Sequence, residues 1–250
     1  MNGLAILPSY TEYFHLTTAT TGLNNAAVWV GGILGCLVSQ QLCDHLGRKR
    51  TIFVSSIVCF AGVVLQGAAQ HIAMFVIARV ILGIGSQLSS AAAPTLLAEL
   101  LPAKTRGRIL GFFFSCFYVG SLMCSIINYG SQYIDSTWAW RLPSILQAIP
   151  SMIALVLLPF VPESPRWLIS KGRLDWAKEV LMIMNGEQDP TSAKVHQDLD
   201  AIDRAIVQEA EQAPGNPWKE LIATPANRRR VYILISFGLM IQQLGNFVVS

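Results

Sequence analysis

The chain has 250 residues, of which 52% are hydrophobic and only 13% charged, and its mean hydropathy is +0.46. This balance excludes an ordinary water-soluble globular domain and points to a protein whose surroundings are largely lipid. The formal charge of +3 is too small to argue for nucleic-acid binding.

A hydrocarbon layer about 30 Å thick requires about 20 mostly apolar residues in a helix, because the spanning backbone must satisfy its own hydrogen bonds. Residues 1–10, "MNGLAILPSY", are apolar but half a span long, and they lack the basic flank and small-residue cleavage site of a signal peptide. They read as the tail of a first helix. Residues 26–43, 51–69, 72–98, 109–127 and 142–161 meet or nearly meet the requirement, and 231–250 stays apolar to the last residue. The reading is of spans left incomplete at both ends. The connections 9–25, 70–71 and 128–140 hold no lysine or arginine, whereas 44–50, 99–108 and 162–230 hold sixteen of the eighteen. Three alternate connections that agree in this way place the basic ones in the cytoplasm. Within 162–230, Val195, Leu199, Ile202 and Ile206 recur at helical spacing after Thr191 and Ser192, and "DWAKEVLMIM" at 175–184 repeats the pattern. Both predict amphipathic surface helices.

Arg79 lies seven residues into the apolar run 72–98. An arginine near the bilayer centre costs about 2.5–3.5 kcal/mol on insertion scales, so it must face the bundle interior or a watery cavity and have a partner. It either snorkels or pairs with backbone carbonyls, or has a coupling or conformational role. Gly31 with Gly35, and Gly107 with Gly111, have the four-residue spacing that lets helices approach closely. Pro94, Pro143, Pro150 and Pro159 can kink their spans or be passively tolerated. The cysteines, Cys36, Cys43, Cys59, Cys116 and Cys124, all lie in apolar stretches without metal-ligand spacing. No nucleophile, metal cluster or paired carboxylates converge, so an enzyme is not expected, nor a metal or cofactor.

The punctuation between spans is more specific. Asp44, Gly47, Arg48 and Lys49 form a D-x-x-G-R-R/K turn, and Arg79, Gly83 and Gly85 form R-x-x-x-G-x-G. Glu99, Pro102, Arg106 and Gly107 follow as E-x-x-P-x-x-x-R-G, then Trp140, Arg141, Pro143 and Gln147 as W-R-x-P-x-x-x-Q, then "PESPRWL" from Pro162 to Leu168. In this order the chain resembles the sugar porter family of the major facilitator superfamily, its fungal members most closely. The resemblance implies an all-α membrane protein: an N-terminal six-helix bundle with its first helix truncated (1–161), a cytoplasmic helical loop (162–230) and a partial seventh helix opening the C-terminal bundle (231–250).

It also implies roles. Arg79 would pair with an acid that proton-coupled members carry in a G-Y-D motif on the first helix, a motif with no counterpart in this sequence. Asp44, Arg48, Glu99, Arg106, Glu163 and Arg166 would form an inner-face salt-bridge network, although charges at these loops also serve topology. Gln147, Gln242, Gln243 and Asn246 would meet sugar hydroxyls, an interhelical hydrogen bond being the other reading of Gln147. The chain departs from the pattern at three places: Gln40 replaces a family glycine, Phe114 stands where many members present a sugar-binding glutamine, and the family's Q-Q-x-S-G-x-N appears at 242–246 as "QQLGN", one residue short and without the serine. The expected function is alternating-access transport of a hexose, disaccharide or related small molecule in the plasma membrane, with a proton, and with the lipid bilayer but no nucleic acid as partner. A chain incomplete at both ends is not expected to transport alone. A non-transporting nutrient sensor and a truncated relic product are the alternatives.

Overall fold

Thr17 determines where the first long helix starts. Its Oγ1 accepts the Thr20 N–H at 3.4 Å, and Thr20 Oγ1 accepts the Thr17 N–H at 2.8 Å. This reciprocal cap satisfies amides that a helix end otherwise leaves open. The computed structural model describes residues 8–14, 16–187, 189, 192–212 and 224–241. In it, α1 covers Pro8–Tyr13 and α2 covers Thr18–Leu46. The connection expected over 9–25 is therefore mostly helical. Hydropathy misses this because threonines and asparagines fill α2's first turns.

The other elements are α3 (Arg48–Gly67), α4 (Ile72–Leu100), α5 (Ala103–Ser131), α6 (Trp138–Leu146), α7 (Ala148–Leu157) with a 3-10 turn at Leu158–Phe160, α8 (Pro165–Ser170), α9 (Leu174–Asn185), α10 (Ala193–Gln212) and α11 (Pro225–Ile241). Among the described residues, five segments are long and apolar enough to cross a membrane: Thr18–Leu46, Arg48–Gly67, Ile72–Leu100, Lys104–Ser131 and Trp138–Phe160. The fifth, where the prolines left a kink or a passively tolerated helix open, is two helices parted at Gln147. Pro150 has no N–H to give the Leu146 carbonyl, which opens the helix at that point.

The chain forms two compact units, residues 1–196 and 197–250. In the first, α4 packs along both α2 and α3. Among the described residues, its core includes three parts. Tyr10, Phe14, Ala69, Phe75 and Trp140 close one end, Val63, Leu82 and Ala148 fill the middle, and Cys43, Ile52, Ala92, Leu96 and Leu158 close the end carrying the α2–α3 turn. Glycines set the close contacts. A Cβ at Gly31 would overlap the Val80 carbonyl oxygen, and one at Gly83 the Val28 carbonyl oxygen, so α2 and α4 touch backbone to backbone. Gly85 faces α3, where a Cβ would stand 2.6 Å from Cys59 Sγ. Gly107 and Gly111 have open space around them, so the close approach expected there is absent. No part of α5's most apolar stretch is buried. In lipid this costs little, since acyl chains are as apolar as the side chains they meet. In the second unit, described by itself, α11 carries Arg228, Arg229 and Arg230 ahead of an apolar run to Ile241.

Candidate functional site

Arg79 is only 2% exposed. Helical spacing directs it from α4 toward the start of α2, where its Nη1 donates to the Asn24 carbonyl at 3.2 Å and to Asn25 Oδ1 at 3.4 Å. The guanidinium carbon lies 5.3 Å from the centre of the Phe75 ring. Asn24 Nδ2 in turn donates to the Tyr10 hydroxyl. Tyr10 sits among Phe14, Phe75 and Trp140 with ring centres 5.3, 5.3 and 6.0 Å away. The charge is thus held by oriented dipoles and an aromatic face, shielded from lipid, as the cost of burying it demands. The adjacent asparagines are the sequence signal that hydropathy reading passes over.

At the other end of the bundle, three of the sequence motifs meet. Arg48 Nε lies 3.2 Å from Glu99 Oε2 and Nη2 donates to Glu99 Oε1 at 3.3 Å, with the two side chains 12% and 16% exposed. Asp44 lies 3.9 Å from Arg48 and is itself 54% exposed. Gln40 Nε2 donates to Asp44 Oδ2 at 3.1 Å, so the residue that replaces a glycine here orients the motif aspartate. The α2–α3 turn passes through Gly47 at φ +96°, a region that favours glycine, and a Cβ there would collide with Glu163 Oε2.

Glu163 does not pair with an arginine within hydrogen-bonding distance among the described contacts. Its Oε1 accepts the Lys49 N–H and the Ser164 N–H, each at 3.0 Å, which caps α3 with a negative charge. Trp167 Nε1 donates to the Asp44 carbonyl at 3.1 Å, closing α2, and Lys49 Nζ donates to the Pro159 carbonyl at 3.0 Å. Arg106 donates to the Leu101 carbonyl at 3.2 Å. Arg166 is half-buried on α8. The structure thus brings Asp44, Arg48 and Glu99 together, seats Glu163 beside them as a helix cap, and leaves Arg106 bonded within its own turn. The basic turns after α2 and α7 share this end with the carboxyl end of α4.

Gln147 occupies the break between α6 and α7, half-buried. Its Oε1 is shielded and accepts no hydrogen bond among the described residues. Gln242, Gln243 and Asn246 lie outside the described residues. Phe114 is 60% exposed on α5. Among the described residues, no group of three metal-ligating side chains comes together.

Comparison with known proteins matches residues 1–250 to a family described as "Sugar (and other) transporter". Curated relatives include the MFS-type transporter criB of Aspergillus cristatus, 30% identical over 96% of this chain and 52% of its own length. The high-affinity glucose transporter of Kluyveromyces lactis is 35% identical over 79% of this chain and 36% of its own length. Among solved structures, the proton:xylose symporter XylE bound to 6-bromo-6-deoxy-D-glucose superposes with a TM-score of 0.75 at 25% identity, over 86% of this chain and 50% of that one. The chain spans about half or less of the length of these proteins.

Proposed function

The chain belongs to the sugar porter family of the major facilitator superfamily, and on that premise we propose that it forms the amino-terminal bundle of an alternating-access transporter that carries a sugar with a proton across the plasma membrane. The chain is a multi-pass membrane protein in which α2 to α7 provide the spans. Sugar as the cargo is supported by the glucose-transporting relative, and proton coupling by the xylose symporter of like fold.

The observation that carries the reading is the buried Arg79. A guanidinium held by neutral acceptors on α2 binds an ionised carboxylate more strongly than a protonated one. Its contacts are therefore a natural two-state element, set by the charge of an acid that approaches it. At the basic end, which we place in the cytoplasm, Arg48–Glu99, the Glu163 cap and the Trp167 clip fasten α2, α3, α4 and α8 into one rigid rocking body. Asp44 and Arg106 stay exposed there, where the second bundle of such a transporter closes. The sugar contacts we assign to Gln147, Gln242, Gln243 and Asn246. The shielded, donor-free Oε1 of Gln147 supports its assignment, because a sugar hydroxyl is the donor it lacks.

Uptake of radiolabelled hexoses, pentoses and disaccharides into proteoliposomes containing a two-bundle transporter that carries this chain as its amino-terminal bundle, with and without an inwardly directed proton gradient, tests this. Saturable uptake driven by the gradient is expected, and Arg79→Lys should retain binding while losing at least tenfold of the gradient's effect. Uptake indifferent to the gradient in the parent protein overturns proton coupling, and uptake of none of these sugars overturns the substrate assignment.

A further inference from the structure

The same end of the bundle holds a cavity of about 170 Å³ that none of the contacts above fills, lined by Lys49, Arg50, Glu163, Trp167, Arg173 and Trp176. Its wall is cationic. Three cations line it against one carboxylate, Glu163, whose Oε1 already accepts two backbone amides, and among the described residues neither Arg50 nor Arg173 has a carboxylate within ion-pair distance. Arg173 is held between two indoles, 5.8 Å from the Trp167 ring centre and 5.4 Å from that of Trp176. Stacking fixes the plane of the guanidinium and leaves its edge N–H groups for an acceptor.

The cavity opens where α2 ends and α3 begins, beside the 3-10 turn that closes α7, which is the level at which these spans leave the apolar layer. On α9, Trp176 and Ile183 are 56% and 72% exposed. Seven residues apart, they share one face of the helix. An exposed tryptophan and an apolar stripe next to clustered cations are the composition of an element lying in the headgroup region.

We propose that this cavity binds the phosphate of an anionic phospholipid from the leaflet on the basic side. Arg50 and Arg173 grip the phosphate oxygens, Lys49 supports them, and Trp167 and Trp176 hold the glycerol and upper acyl carbons. A soluble phosphate would use the same cations but gain nothing from the indoles or from the α9 stripe.

The test is native mass spectrometry of the full chain released from micelles with dioleoyl phosphatidylglycerol, dioleoyl phosphatidylcholine or inorganic phosphate. Phosphatidylglycerol adducts should survive activation in preference to phosphatidylcholine. Each surface cation contributes about fivefold to anionic-lipid binding, so R50Q/R173Q should weaken phosphatidylglycerol binding about 25-fold. R50K/R173K should retain most of it, and K104Q, on α5 and not among the residues that line the cavity, should bind nearly as the parent does. R173Q alone removes a side chain packed against two ring faces and carries the same test if the double variant loses its helical circular dichroism. Equal binding of the two lipids, equal binding by parent and glutamine variants, or displacement of phosphatidylglycerol by equimolar inorganic phosphate overturns the proposal. These readings involve no sugar and no transport, so they stand or fall separately from the transport function.

Discussion

At Gly83 a methyl group would claim the space of the Val28 carbonyl oxygen, and at Gly31 that of the Val80 carbonyl oxygen. Neither obstacle is a flexible side-chain tip, so α2 and α4 must move apart to admit one. Overpacking of this kind costs about 1–3 kcal/mol. Gly83→Ala should lower the thermal unfolding midpoint in micelles accordingly, while Gly111→Ala, which meets open space, should stay within about 0.5 kcal/mol of the parent. Equal effects at the two sites would contradict the packing described. Both pairs of glycines have the same spacing, so sequence cannot rank them. For Arg79 the reverse holds. Burial and partnering followed from a fixed charge in an apolar run, whereas its actual acceptors, Asn24 and Asn25, sit more than fifty residues away.

Helix ends obey local chemistry, and two of them are completed by residues from a distant motif. Glu163 supplies the charge that caps α3, and the Trp167 indole supplies a donor to α2's last turn. Glu163→Ala should cost about 0.5–2 kcal/mol, the usual loss for an N-cap. Amide hydrogen exchange at Lys49 and Arg50 should quicken, with α5 unaffected. Trp167→Phe, which keeps a ring but loses the indole N–H, should cost about 1 kcal/mol, read as a lower melting temperature. Unchanged exchange at Lys49 in Glu163→Ala would remove the cap from the account. The "PESPR" stretch was legible as a motif, and its glutamate was expected among arginines. Folding hands it to backbone amides instead, because Gly47 at φ +96° brings the start of α3 directly beneath the carboxylate.

Across the whole bundle, the basic turn after α2 and the carboxyl end of α4 are tied by Arg48 and Glu99, fifty-one residues apart. Their side chains are mostly shielded, so the pair should couple more strongly than exposed ion pairs, which contribute about 0–1 kcal/mol. A double-mutant cycle of Arg48→Ala and Glu99→Gln in lipid nanodiscs should return a coupling of about 1–3 kcal/mol. Additive effects would show the two charges to be independent. The number of described spans, the end of the bundle that gathers positive charge and the order of the motifs all follow from hydropathy and spacing, which are properties of neighbouring residues. The packing of α2 against α4, the caps on α2 and α3 and the cradle around Arg79 required the folded chain. They depend on which backbone atoms lie within a few ångströms across helices, and distance along the chain does not encode that.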